Sequence, residues 1–345
     1  MSQPIEIIGG GLAGLSLGLA LRRTGVPVVL HEAGDYPRHR VCGEFITGLD
    51  EATVARLGLA HFLTDARRHT ALAWFSGEHP LRTQILPAPA LGLSRHALDA
   101  RLAQAFVAAG GELHPRSRVD PNPSPPGRVF ATGRRPGTSE WLGLKIHLRG
   151  YSPAHGLEVH LGRHAYVGIA GIEDGSFNLC GLFRRRPDLP PPENRAARTA
   201  FLLHQLEAAG LETLAARLRT TAEFDADSFC AVAAVNFSAP SPEPGRLCLG
   251  DTYAMIPPFT GNGMAMAFQS AELALDPLLA YSRGEQNWLT TCRTVQRRLH
   301  RQFRLRLSTA GSLHPFLHQP SRQRWLFAAS RLHLLPLRSL YALLH

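Results

Sequence analysis

Lysine is nearly missing from this 345-residue chain. Lys145 is the single one, beside 36 arginines, and these bases outnumber 27 acidic residues to give a formal net charge of +10. Such a bias commonly reflects codon usage, but it makes the one retained lysine a candidate functional group. Cysteine is scarce too: Cys42, Cys180, Cys230, Cys248 and Cys292 are odd in number, scattered, and form no C-x-x-C pair. That excludes a disulfide framework and a structural zinc site, so no metal is expected. No apolar run reaches membrane-spanning length, because Arg22 and Arg23 interrupt the first candidate. The chain starts in a strand pattern and not in a signal peptide, so the expected compartment is the reducing cytoplasm. Zinc-finger spacings and an aromatic-rich RNA signature are absent, so nucleic acid is not an expected partner. A basic surface still attracts phosphates and acidic membranes.

What is present is apolar: 44% of residues are hydrophobic and only 19% charged, enough core for one large domain or two intimate ones. Residues 5–8 predict a buried strand, 12–24 a helix ended by Gly25, and 26–31 a second strand. This β-α-β unit implies a parallel sheet. A loop over 33–48 and a helix over 50–58 follow. Residues 70–86 suggest a hairpin, 95–109 an amphipathic helix closed by Gly110 and Gly111, and 128–132 another buried strand. From 141 to 183 the pattern changes to alternating or apolar runs broken by glycine, which predicts an antiparallel sheet. Residues 193–218 are expected as helix, 246–250 as a buried strand and 263–280 as helix, and the arginine-rich remainder from about 285 is helical. No internal repeat is found.

Gly9, Gly11 and Gly14 fit G-x-G-x-x-G between the first strand and the first helix, with Leu12 and Ala13 opening that helix. Gly9 permits the tight turn, Gly11 lets the backbone approach a pyrophosphate, and Gly14 lets helix and strand pack closely. Glu32, followed by Ala33, closes the second strand where an acid can hold an adenosine ribose hydroxyl. This set predicts dinucleotide binding without separating FAD from NAD. A second motif does separate them. Asp251 follows Gly250 at a strand end, and Pro257 and Pro258 stiffen the approach to Gly261, Asn262 and Gly263, which open a long helix through Met264. The free amides of that helix end suit the N1 and O2 side of a flavin. An ordinary glycine start to a core helix is the bland alternative.

Together these blocks resemble the flavoprotein group containing geranylgeranyl reductases, p-hydroxybenzoate-hydroxylase-like monooxygenases and, more distantly, flavin-dependent halogenases. The resemblance rests on Gly9–Gly14 with Glu32, on Pro37–Glu44 (PRHRVCGE), on Arg95–Leu102 (RHALDARL) and on Gly250–Ala271, and it covers nearly the whole chain. It implies that Arg95 contacts the cofactor, that Asp251 and Gly261–Met264 line the ribityl chain and ring, and that Arg38, Arg40, Cys42 and Gly43 lie along the flavin. The cysteine block is closest to the geranylgeranyl-reductase-like branch. Two departures matter. Where the hydroxylases carry a D-G pair for cofactor and NAD(P)H binding, this chain has Ala131-Thr132-Gly133. The paired tryptophans of the halogenases are missing.

Lys145 shares a strand face with His147 and Arg149 by period two. That face is either exposed to solvent or turned into a substrate chamber, and in the latter case Lys145 and His147 join Cys42, which the resemblance places near the ring, as catalytic candidates. His155, His160 and His164 show no metal spacing. The segment 293–345 holds ten arginines among apolar residues such as Trp325, Leu332, Leu335 and Leu340. It is either a helical cap with solvated arginines or a peripheral membrane contact.

The expected fold is mixed α/β: a Rossmann-like FAD-binding domain with an inserted antiparallel β-sheet substrate domain and C-terminal helices. FAD binding is assigned to 1–70, 95–140 and 246–284, substrate-domain strands to 71–94, the antiparallel sheet with its helix to 141–245, and the helical region to 285–345. The expected function is FAD-dependent redox chemistry on a hydrophobic small molecule of prenyl, polyketide or aromatic type, with NAD(P)H or another electron donor. A double-bond reductase leads, a flavin-dependent monooxygenase is the alternative, and a non-catalytic flavin-binding protein is more remote.

Overall fold

A computed structural model describes residues 2–344 apart from 78, 135–136, 152, 154–155, 238–242, 333 and 335–336. His155 and Leu335 therefore lie outside the described residues. The chain runs β1 (Ile5–Ile8), α1 (Leu12–Arg23), β2 (Val28–His31), β3 (Phe45–Ile46), α2 (Glu51–Leu57), β4 (Arg67–Ser76), β5 (His79–Gly92), α3 (Arg95–Ala108), β6 (Glu112–His114) and β7 (Arg128–Phe130). It continues through β8 (Trp141–Arg149), β9 (Leu157–Gly162), β10 (Ala165–Gly171), β11 (Phe177–Arg184), α4 (Ala197–Ala208), α5 (Glu212–Thr221), β12 (Glu223–Ala233) and β13 (Leu247–Cys248). Helices α6 (Gly263–Ser282), α7 (Trp288–His318), α8 (Pro320–Arg331) and α9 (Leu337–Leu344) complete it.

The expected mixed α/β architecture is present. One sheet is parallel throughout, in the order β13-β7-β1-β2-β6. Helix α1 is buried from Leu12 to Leu21 and packs on both α3 and α6. Glycines allow close packing: a Cβ on Gly18 would stand 3.0 Å from Phe106 of α3, and one on Gly14 2.0 Å from the Gly9 carbonyl oxygen of the preceding turn. Gly9 itself has φ +109°, a conformation L side chains rarely adopt, and a Cβ there would meet the Ala131 carbonyl at 2.2 Å. The turn, the helix start and the neighbouring strand β7 are thus pinned within contact distance of one another.

The second sheet has eight strands, in the order β12-β8-β11-β10-β9-β4-β5-β3, antiparallel except where β4 meets β9. Its middle strands are two-faced. Leu144, Ile146, Leu148, Val167, Ile169, Leu179 and Phe183 pack with Leu202 and Leu206 of α4 and Leu214 and Leu218 of α5. Each such leucine contributes about 1.5–3 kcal/mol relative to exposure. By the two-residue period, the opposite face presents Trp141, Gly143, Lys145 and His147.

Several boundaries differ from expectation. The helix expected over 193–218 is two helices, broken where Gly210 turns with φ +77°. Strand β12 follows them, unsignalled by its own acidic residues, and is held by pairing with β8. The hairpin runs over 67–92, and the strand expected at 246–250 is ladder-paired only at Leu247–Cys248. Among the described residues no helix is long and apolar enough to cross a membrane.

Candidate functional site

Two helices begin without a side-chain cap: α1 after Gly11, at the carboxyl end of β1, and α6 after Asn262, beside Phe45 of β3. Uncapped first-turn amides carry partial positive charge and suit an anion or a polarised carbonyl. Open space lies beside both starts. A Cβ on Gly263 would meet nothing within 4 Å, and one on Gly11 would find only the Arg95 guanidinium, at 3.7 Å. Leu12, Ala13 and Met264 have core side chains, so only their backbones can face a ligand. Gly261 turns with φ +71°, and a Cβ there would strike Phe45 at 2.2 Å. Asn262 is buried, accepts from the Thr47 hydroxyl at 2.8 Å and donates to the Leu344 carbonyl, tying α9 to this loop.

Asp251 keeps an accessible face, yet desolvation by surrounding protein raises its pKa to about 6, with Arg95 opposing. Pro258 is exposed on the same loop, while Gly250 and Gly43 are half-buried. Arg95 makes two bonds to Asp99, both 2.7 Å, and Asp99 also accepts from Arg40 at 3.0 Å. Ser94 caps α3 by accepting from the Ala97 amide and is held by Glu173.

Glu32 is engaged by the protein itself. Its carboxylate is 4% exposed and accepts from the Gly10 amide (2.8 Å), the Gly34 amide (2.9 Å), Arg38 (2.9 Å) and Arg40 (3.3 Å). Four donors fill the roughly four lone-pair sites of a carboxylate. Burial pushes its pKa up, and Arg40, the Gly34 amide and Arg38 more than reverse this. Arg38 and Arg40 thus lie on the carboxylate that the sequence offers to an adenosine ribose. Ala33 is exposed beside it.

The third part hangs beneath the eight-stranded sheet. Segment 41–44 runs across the inner face of β8 and β11. A Cβ on Gly143 would meet Val41 at 3.0 Å, and the Asn178 amide donates to the Cys42 carbonyl at 2.9 Å. Glu44 ends the segment fully buried, and its carboxylate takes Nε2 of His147 at 2.5 Å, Nζ of Lys145 at 3.4 Å and the Arg95 amide at 3.0 Å. Its φ of +55° is unfavourable for a residue with a Cβ. Burial raises the Glu44 pKa, and His147 and Lys145 outweigh it, so the group stays ionised. Lys145 is 0% exposed and His147 8%, which settles the open question about their face: it looks inward. Arg149 does not follow them; it is exposed at the strand end beside Asp174. Lys145 also lies 3.0 Å from Nδ1 of His39, whose pKa falls to about 4 through burial and the adjacent Lys145 charge. His39 stacks on His96, which is half-buried.

Cys42 has its pKa raised by burial, against Arg95, so it is a thiol at neutral pH and not a poised nucleophile. Cys180 and Cys230 flank Lys145 on the neighbouring strands. Beyond Gly143 the same face turns aromatic. The Trp141 ring lies 4.6 Å from His318, and Phe237 lies 5.1 Å from His314. The buried His314 Nε2 finds no protein partner among the described residues.

Glu44 and Asp99 were not among the candidates from sequence. Glu44 stood inside the PRHRVCGE block and Asp99 inside RHALDARL, so each carried a weak signal. His39, His147 and Asp225 bring ligand atoms within 4.8 Å of one another, the one metal-like grouping among the described residues. The Lys145 ammonium beside His39 opposes a dication there.

Chain-long likenesses come from solved structures. Pseudomonas aeruginosa PqsL in complex with 2-aminobenzoylacetate superposes with a TM-score of 0.71 at 16% identity, over 95% of this chain and 98% of that one. FqzB gives 0.75 at 14% identity, over 95% and 86%. The flavin-dependent brominase Bmp2 gives 0.67 at 17%, over 99% and 92%. PqsL is described as a probable FAD-dependent monooxygenase. The chain has the fold of these flavoproteins. In sequence, it is similar to the menaquinone reductase of Mycolicibacterium smegmatis, 30% identical over 133 residues; that match spans 37% of this chain and 32% of the reductase. No family model matches the chain.

Proposed function

We propose that this chain is an FAD-dependent oxidoreductase acting on a hydrophobic small molecule, with monooxygenation of an aromatic or polyketide-type substrate as its reaction. One observation carries the reading: Arg95 joins two halves of a single site. Its guanidinium lies beside the open Gly11 turn, and its backbone amide holds Glu44, the hub of the buried Lys145–His147 group.

The residues fit the cofactor. The α1 amides with Arg40 and Arg95 would hold the diphosphate, Asp251 a ribityl hydroxyl, and the α6 amides at Gly263 and Met264 the pyrimidine edge of the ring. Bound FAD would supply two-electron chemistry, either hydride transfer or activation of dioxygen. The protein's own part is enclosure and charge stabilisation. The wall from Trp141 to His314 takes an aromatic body and excludes water. At the polar end, the Lys145 ammonium would stabilise negative charge developing on the substrate's oxygen, and Glu44 fixes Lys145 and His147. Because Thr132 stands where the hydroxylases carry aspartate, an electron donor other than directly bound NAD(P)H suits the site.

A double-bond reductase is the second reading, favoured by the menaquinone reductase likeness. Absorbance of the purified or FAD-reconstituted chain tests the cofactor; absence of a flavin spectrum after FAD addition rejects the proposal. Product formed from a candidate substrate under labelled dioxygen separates the reactions. Label in the product supports monooxygenation, and an unlabelled, saturated product formed anaerobically supports the reductase.

A further inference from the structure

The last 60 residues, 286–345, contain ten arginines and no aspartate or glutamate. Acids from elsewhere do little to neutralise them. Along the 31-residue helix α7, Arg293, Arg297, Arg301 and Arg304 recur at three- or four-residue steps and are exposed. None of the four makes an ion pair among the described residues, whereas Arg298 meets Asp276 at 3.8 Å. This uncompensated stripe, about 17 Å long at 1.5 Å per residue, projects a positive field beyond the helix.

Helix α8 adds what a merely basic surface lacks. It buries Gln323 and Ser330 and turns Ser321, Trp325 and Ala328 outward, four and three residues apart. Trp325 is 75% exposed, and Leu332 and Leu334 just beyond the helix end are 67% and 69% exposed. Arg322 and Arg324 flank the tryptophan and are exposed as well. Leaving a tryptophan and two leucines in water beside uncompensated arginines is unfavourable for a free surface. It is the arrangement of a helix that lies in a bilayer interface, with the indole at the headgroup level and guanidinium groups on lipid phosphates.

We propose that the α8 face, with Trp325, Leu332 and Leu334 as its apolar contact, docks this protein on an anionic phospholipid surface. The positive field of α7 steers the approach, and no described helix is long and apolar enough to cross the bilayer. The match of charge is what selects lipid: a neutral bilayer leaves the arginines unpaired, and an apolar protein groove leaves them desolvated. Docking would bring the chain to where hydrophobic substrates dissolve, although the inference itself does not depend on the flavin reading.

The test is co-sedimentation of the full chain with vesicles of phosphatidylcholine alone and of phosphatidylcholine with phosphatidylglycerol. Binding is expected only to the mixed vesicles and should weaken as salt rises. Brominated lipid should quench tryptophan emission in the wild type and much less in Trp325→Ser. Arg322→Ser with Arg324→Ser should lower the partition coefficient about 30-fold, at about 1 kcal/mol per arginine near an anionic surface. All three positions are exposed, so unchanged circular dichroism and melting confirm that the variants fold. Equal binding of wild type and variants, no preference for anionic vesicles, or tighter binding to duplex DNA than to the vesicles each overturns the proposal.

Discussion

Replacing Glu44 with glutamine removes one negative charge from a position with no access to water. Lys145, equally inaccessible, then has no acid partner among the described residues, where Glu44 is its only one. Breaking a buried pair from one side leaves an uncompensated charge and costs about 3–5 kcal/mol. With a urea dependence of about 3 kcal/mol per molar, the unfolding midpoint at pH 7 should fall by about 1–1.7 M. The pH dependence has a definite sign. The folded pKa of Glu44 lies below its ordinary value, so its contribution is complete above the unfolded pKa of about 4.3 and is lost as pH falls through the folded value. The gap between wild type and Glu44→Gln should therefore be full at pH 7 and narrow from about pH 4 downward. Adding Lys145→Met to Glu44→Gln should recover most of the lost stability, since a pair removed together leaves no orphan charge. Urea titrations followed by tryptophan fluorescence measure all three proteins. A double variant no more stable than Glu44→Gln alone refutes the reasoning, because the cost would then not arise from the stranded lysine.

The candidate cofactor-binding residues yield their own tests. Asp251 has its pKa raised to about 6, so apo wild type should lose stability as pH rises from about 4 to 6, and Asp251→Asn should not. The gain at pH 7 should stay below about 1 kcal/mol because the accessible face is screened by solvent, while FAD titration should show weaker uptake. Arg95→Lys loses the paired bonds to Asp99; at about 1.5–3 kcal/mol for charge-assisted bonds, FAD affinity should drop at least about tenfold by fluorescence titration. Gly14→Ala drives a Cβ into the Gly9 carbonyl, whereas Gly133→Ala meets nothing within 4 Å and bears only its φ of +80°. The first should abolish FAD uptake, and the second should keep it at a cost of about 1–2 kcal/mol. Comparable uptake by both would mean that close packing at Gly14 does not shape the turn.

The β-α-β start was legible because local chemistry decides it. Glycine is demanded where Gly9 turns left-handed and where α1 meets the strand, and apolar runs of strand length fill the sheet. Strand β12 was not legible, since EFDADSFCAVA carries acids that resist β structure in isolation. Its pairing with β8 decides its state, and the register even shifts between Asp225 and Cys230. The break at Gly210 was visible in principle: a glycine inside a long helical pattern is a stop signal that the surrounding leucines masked.

The site divides along the same line. Residues whose role is backbone geometry, such as Gly11 and Gly263, can be found from spacing. Residues whose role depends on meeting a distant partner cannot. Lys145 drew attention only through its rarity, and rarity says nothing about what it faces. Its partner sits 101 positions earlier, on a loop segment whose path is fixed by Val41 against Gly143 and by Asn178 on the Cys42 carbonyl. Shifting β8 by one residue would turn Leu144 and Ile146 toward Glu44 and send Lys145 into the leucine core above. Glu44 therefore holds an ion pair only in one register, and the same residue that serves the proposed chemistry also penalises the slipped sheet. A sequence model of the site thus has to include the register, and this one is set mainly by the apolar face packed on α4 and α5.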